Sequence, residues 1–356
     1  MQPVLASLNS AASSADNSWT ASLESFFTEG ADILDKASGH LFLYLLAWLL
    51  VLGGLYFTVR TGFVQLRLFP YMVRAITSSR DSKEGGISSF QAFAVGLACR
   101  VGTGNIVGVA LALILGGPGA VLWMWLVAIL GTATAFSEAT LAQLFKVRRP
   151  DGTFRGGPAY YISRGLGLPI LGGVFAVVFL IANGLVMPMV QANAITASLQ
   201  GAGGLSPSLG AVLVVALTAP VLLGGLRAMA RVAEYLAPFM ALAYLVLVLA
   251  ILLTHPVQAL EAVRSIIEGA FGLRQGLGGL AGGVTAALLN GVRRGLFSNE
   301  AGLGGAACAA GSATVSHPVQ QGFIQAFGVV VDTLFVCTAT ALAILVAGAD
   351  VLQPGA

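Results

Sequence analysis

Eight stretches of this chain are apolar over about 20 residues or more, the length a helix needs to cross the hydrocarbon core of a bilayer. They cover approximately 41–59, 88–115, 119–145, 169–199, 208–225, 233–254, 280–312 and 319–347. In lipid every backbone polar group must find its partner inside the protein, so a chain of this kind has little choice beyond a bundle of helices. Hydrophobic residues make up 57% of the 356 and charged residues 9%, against about 25% charged in a soluble domain. The expected fold class is an all-α integral membrane protein with about eight transmembrane spans. Several stretches exceed the minimum length, so tilted, kinked or discontinuous helices are expected.

The charges set an orientation. Arg60, Arg67, Arg74, Arg80 and Lys83 share one connection; Lys146, Arg148, Arg149, Arg155 and Arg164 share another; Arg227 and Arg231 sit in a third. With eight spans all three fall on one side, and the positive-inside rule makes that side cytoplasmic. The connections 116–118 and 200–207 carry no charge. The chain is therefore expected to be a multi-pass protein of the cell membrane with its N-terminus outside. The net charge of +3 lies in loops, which argues against nucleic acid as a partner.

Residues 1–39 are read as an extracytoplasmic segment without the basic start and short apolar core of a signal peptide. Within it Ser22–Lys36 has an amphipathic pattern (Leu23, Phe26, Phe27, Ile33, Leu34), weakened by Gly30. Cys99, Cys308 and Cys337 are far apart in apolar surroundings, a pattern of inert buried thiols with no resident metal or cofactor. Zinc-protease, hydrolase-elbow and P-loop motifs are missing from the sequence, so an enzyme is not expected.

Two apolar stretches are interrupted in the same way. One reads Arg100-Val101-Gly102-Thr103-Gly104-Asn105-Ile106-Val107-Gly108, the other Arg294-Gly295-Leu296-Phe297-Ser298-Asn299-Glu300-Ala301-Gly302. In each, Asn follows Arg by five residues and Gly follows Asn by three. The orientation makes the first run outward and the second inward, offset by five spans. That is the layout of an inverted repeat, and paired glycine-broken segments are the sequence pointer to a transporter binding site. The chain then divides into 40–87 (an extra first span and a cytoplasmic loop), 88–254 (a first repeat of five helices) and 255–356 (a second repeat with two). By that count the second repeat is incomplete.

Glycines at 102 and 104 ease unwinding, each costing about 1 kcal/mol against Ala in a helix. Freed N–H groups suit a carboxylate and freed carbonyls suit a sodium ion. Small-residue packing through Gly104-x-x-x-Gly108 is the competing reading. Phe297, Ser298, Asn299 and Glu300 together offer an apolar ring, a hydroxyl, an amide and a carboxyl, a set that could hold a small zwitterion. Glu300 is expected either to be protonated or to pair with Arg100, Arg293 or Arg294, and those arginines are expected to be structural or gating groups. Gln191 and Asn193 suit either substrate contact or interhelical bonding. Ser137, Glu138, Asp332 and Thr333 could form an ion or proton path, and structural pairing competes with that; no role is assigned to them. His40, His255 and His317 fall at span ends.

At this point a resemblance becomes specific. The runs GTGNIVGVALALILGGPGAVLWMW, GGPAYYISRGLG, GVRRGLFSNEAGLGGAA and HPVQQGFIQAFGVVVDTLFVCTATA resemble the alanine/glycine:cation symporter family, from about Thr58 onward. The resemblance implies a LeuT-like inverted repeat and sodium-coupled, sometimes proton-coupled, uptake of alanine or glycine. It implies that Gly102, Thr103, Gly104 and Asn105 cradle the substrate carboxylate, with Gln191, Phe297 and Asn299 lining the rest of the pocket. It also implies a sodium site with one side near Val101 and Asn105, whose other side would lie beyond Ala356. The expected partners are thus a small amino acid, sodium and the lipid bilayer. Alternatives of other kinds are a non-transporting amino-acid-binding fragment or sensor, and the same fold serving another small amino acid such as glutamine.

Overall fold

The computed structural model describes Ser25 and residues 28–34, 36–77, 86–272 and 280–348. Leu23, Phe26 and Phe27 of the Ser22–Lys36 segment, together with Arg80, Lys83 and residues 349–356, lie outside that set. The chain divides into two compact units, Met1–Leu49 and Leu50–Ala356. The described part of the first is helical. The second is almost wholly helical, with one small hairpin.

Five described helices are long and apolar enough to cross a membrane: Thr28–Arg60, Ala120–Leu144, Pro169–Gly203, Gly225–Thr254 and Pro318–Ala347. A sixth crossing arises if Ser89–Arg100 and Gly104–Gly116, bent by 50° at the gap between them, form one broken span. We label the elements of the second unit α1 (the part of the first span within Ala47–Arg60), α2 (Phe69–Thr77), α3 (Ser89–Arg100), α4 (Gly104–Gly116), α5 (Ala120–Leu144), α6 (Pro169–Gly203), α7 (Pro207–Leu223), α8 (Gly225–Thr254), α9 (Pro256–Ala270), α10 (Leu280–Asn299), α11 (Gly305–Gly311) and α12 (Pro318–Ala347). The two further stretches read from the sequence are helical, 208–225 as α7, which is short, and 280–312 as α10 with α11, which is interrupted and carries Arg293 and Arg294. Residues 255–275, outside the eight apolar stretches, hold the helix α9.

Local sequence explains most boundaries. Pro stands in the first turn of α6, α7, α9 and α12, where its missing N–H has no helical partner to lose. Ser88 and Gln91 close a reciprocal capping box at the start of α3, each side chain accepting from the other's backbone N–H at 3.0 Å.

The interior is organised around α5 and α12, which are half buried along their apolar windows, whereas α6 is almost wholly exposed. Small residues set the spacing. A Cβ on Gly291 of α10 would stand 2.6 Å from Trp123 Cβ on α5, and one on Gly295 would stand 3.2 Å from Met124 Cα. Close backbone approach of this kind is how helices associate where lipid removes the hydrophobic drive. One core cluster joins Val109 and Leu113 of α4, Val121 and Met124 of α5, Ile266 of α9, and Cys337 and Ala341 of α12.

After α5 a two-stranded hairpin, β1 (Val147–Arg148) and β2 (Phe154–Arg155), turns the chain. Lys146 donates to Gln143 Oε1 at 2.7 Å and to the Ala313 carbonyl at 2.8 Å, beneath the Phe154 ring. Burial holds its amine below the ordinary lysine range.

Candidate functional site

Both glycine-rich interruptions are real breaks. The first separates α3 from α4 at Val101-Gly102-Thr103, and the second separates α10 from α11 between Asn299 and Gly305. The repeated spacing falls differently on the two. Arg100 ends α3 and Asn105 lies in the first turn of α4. Arg294 lies inside α10, and Asn299 is that helix's last residue. The sequence match is thus displaced from the structural match.

The first break carries a closed polar centre. Asn105 Oδ1 accepts from the Gly102 N–H at 2.9 Å, and its Nδ2 donates to Asp332 Oδ1 at 2.7 Å and to Cys337 Sγ at 3.3 Å. The other Asp332 oxygen accepts from the Ser298 hydroxyl at 2.9 Å and from Thr333 at 2.8 Å. Asp332, Thr333 and Asn299 are fully buried, and Asn105 and Ser298 are almost so. Asn105 and Asp332 both lie on π-helical turns, Gly104–Gly108 and Val330–Cys337. Such widened turns turn side chains and carbonyls inward and recur at functional sites.

Gln191 on α6 reaches the same break: the Thr103 N–H donates to its Oε1 at 3.1 Å. The missing side chains at 102 and 104 leave the room. A Cβ on Gly102 would stand 2.8 Å from Gln191 Nε2, and one on Gly104 would stand 3.4 Å from Ser298 Cα and 3.5 Å from the Phe297 ring. On its other side the break borders a cavity of about 460 Å³ between α4 and α8, lined by Val101, Gly102, Asn105, Ile106, Phe239, Tyr244 and Val336 among others.

The structure therefore gathers Val101, Gly102, Thr103, Gly104, Asn105, Gln191 and Phe297 about one break. Asn299 is directed elsewhere: its Oδ1 accepts from the Ala301 N–H at 3.0 Å, and its Nδ2 lies 3.3 Å from where a Gly131 side chain would begin. Arg100 directs Nε to the Asn299 carbonyl at 2.9 Å and Nη1 to Gln325 Oε1 at 3.2 Å. It joins α3 to α10 and α12.

Asp332 is the residue that the sequence reading left unassigned. Its signal was present, because an ionisable side chain in the middle of an apolar span is by default a functional candidate. What was missing was its partners, which lie 227 and 34 residues away at Asn105 and Ser298.

Together, fold and site define an all-α, multi-pass membrane protein in which two broken helices meet at a buried polar centre. The chain belongs to the sodium:alanine symporter family, which matches residues 28–354. It is 44% identical over 88% of its length to the Bacillus subtilis protein named "Probable sodium/glutamine symporter GlnT", covering 65% of that chain. It is 45% identical over 91% of its length to the "Amino-acid carrier protein AlsT" of the same organism, covering 68% of it. The "Sodium/alanine symporter AgcS" of Methanococcus maripaludis is 39% identical over 84% of this chain, which covers 67% of it. The chain thus spans about two-thirds of the length of these curated relatives.

Proposed function

We propose that this chain carries the substrate pocket of a sodium-coupled secondary transporter that imports alanine or glycine by alternating access. One observation carries the reading: a buried carboxylate, Asp332, is held against an unwound segment whose glycines bare the backbone. The amino acid's carboxylate would lie on the backbone of Gly102, Thr103 and Gly104, with Gln191 and Phe297 enclosing the remainder and Asn105 shared with the ion. Asn299 shapes the second break from behind. Sodium is cargo here, and oxygen ligands suit it. The Asp332 carboxylate, Asn105 Oδ1 and the Val101 carbonyl are the groups proposed to receive it. Ion and substrate each favour the state in which they bind more tightly, and that difference couples their movements.

The LeuT-like architecture belongs to this proposal. The breaks in α3/α4 and α10/α11 support it, with α7 and α10/α11 as the crossings that complete eight and with the N-terminus outside the cell membrane. The decisive measurement is uptake of labelled alanine by proteoliposomes under an inward sodium gradient. Equal uptake with and without sodium, at matched membrane potential, would remove the coupling.

A second reading keeps the mechanism and changes the solute to glutamine, as the printed name of one relative suggests. A small pocket separates side chains only weakly, by about 1–3 kcal/mol per methylene. Competition of alanine binding by glycine and by glutamine separates the two.

A further inference from the structure

Around the second break, three buried polar atoms have no partner among the described residues: Glu138 Oε1, Arg100 Nη2 and Asn299 Nδ2. Each belongs to a group whose other atom is anchored on the segment 299–302. Glu138 Oε2 accepts from the Gly302 N–H at 3.2 Å, Arg100 Nε donates to the Asn299 carbonyl, and Asn299 Oδ1 accepts from Ala301. A buried group with an unmade bond costs about 1–3 kcal/mol, and more when charged. Three such atoms on side chains anchored to one short segment, two donors and one acceptor, point to an exchangeable occupant.

The charges say which kind. The groups facing Glu138 are Arg100 from α3, Glu300 from the break, Tyr161 from the short helix after β2, and Cys308 from α11, with Cys99 of α3 beyond Cys308. The α12 segment Pro318–Val329, packed along α5, carries no ionisable group. Asp332 lies beyond Glu300. Arg293 and Arg294 of α10 directly precede Gly295, which packs on Met124 and Val127, about three helical turns from Glu138. Two carboxylates about one guanidinium leave an unmatched negative charge in the bilayer interior. Arg100 opposes a metal cation there, whereas a proton adds no volume and neutralises one carboxylate. Of the two carboxyls, Glu138 is the one with a fully enclosed oxygen, Oε1, that has no partner among the described residues.

We propose that Glu138 is a proton-binding site, filled through a buried water that Arg100 and Asn299 hold beside it, and separate from the cation site at the first break. Binding forms an O–H bond at Oε1, and the hydronium that delivers the proton leaves as water. The Gly302 N–H then faces a neutral acid in place of a carboxylate, and a charge-assisted bond about twice as strong as a neutral one is lost. Protonation therefore loosens the second break. Only this consequence rests on the transport reading, since the proton site stands on its own.

The test is infrared difference spectroscopy of the purified chain in lipid, titrated from alkaline to acid pH without sodium or substrate. A protonated-carboxyl band is expected to appear on acidification, to vanish in Glu138→Gln and to persist in Glu300→Gln. Glu138→Asp keeps a carboxyl on a shorter stem and is expected to shift the band, which decides the matter if Glu138→Gln does not fold. No titrating band in the unsubstituted chain, a band untouched by either Glu138 variant, or a band lost only in Glu300→Gln overturns the proposal. Loss of sodium-driven uptake with the band intact overturns the transport reading instead.

Discussion

The two breaks share a motif and differ in almost everything that surrounds it. The first is short, has no left-handed residue, and is filled from outside by Gln191 and from within by Asn105. The second is longer and turns through left-handed backbone at Glu300 (φ 51°), Gly302 (φ 90°) and Gly304 (φ 95°). Its amide, Asn299, closes only a local turn. The freed backbone N–H groups of the first break are thus met by side chains from elsewhere, which the proposed substrate would have to replace. The second is a shaped turn whose geometry depends on neighbours, Arg100 and Glu138, reaching in from α3 and α5. The lesson is that equal spacing does not make equal sites, because what decides is the side of the break on which the amide falls.

The largest effect expected to test this contrast is at Asp332. Asp332→Asn removes the charge that Ser298, Thr333 and Asn105 are arranged to meet, a loss of about 3 kcal/mol, or roughly 100-fold in sodium affinity. Sodium dependence of uptake measures it, and an unchanged dependence removes Asp332 from the ion site.

Next is Asn105→Ala, which deletes bonds to Gly102 and Asp332. Alanine affinity by equilibrium binding should fall by about 30-fold, corresponding to roughly 2 kcal/mol. Asn193→Ala should stay within about twofold, because little in the site depends on that side chain. Equal losses in the two variants would contradict the assignment.

Gly102→Ala should follow. Its Cβ would stand 2.8 Å from the Gln191 amide, so the amide must retreat from Thr103. About 1 kcal/mol, or a fivefold weaker binding of alanine, is expected. Binding unchanged in this variant would mean that Gln191 does not support the break.

The smallest effect is predicted at Asn299. Asn299→Ala loses one local bond and also an unpaired donor, so stability should fall by about 1 kcal/mol or less, read as a small drop in melting temperature in detergent. Alanine affinity should be unchanged. A loss as large as that of Asn105→Ala would make the two breaks equivalent after all and undo the comparison.

Much of the fold was legible. Long apolar runs give helices because lipid leaves the backbone no other partner, whereas proline alone does not mark their starts, since Pro220 and Pro238 lie inside helices. The helix α9 was not legible as such, because its alternating polar and apolar faces lowered the hydropathy of a segment with balanced charge. The stretch 280–312 was read as a single span despite Arg293 and Arg294, and the structure divides it into α10 and α11.

At the site, glycine spacing and the doubled Arg–Asn–Gly pattern were enough to locate both breaks, Gly102 to Asn105 at the first and Phe297 to Gly302 at the second, whereas the pocket lining by Gln191 and Phe297 was implied only by the family resemblance. They could not locate Asp332 at the centre or turn Asn299 away from it. Local sequence determines where a helix can open, because Gly frees the backbone within a residue or two. Which side chains close around the opening is decided by partners up to 227 residues apart, and only the packing of α5 and α12 against the broken helices brings those partners within hydrogen-bond reach.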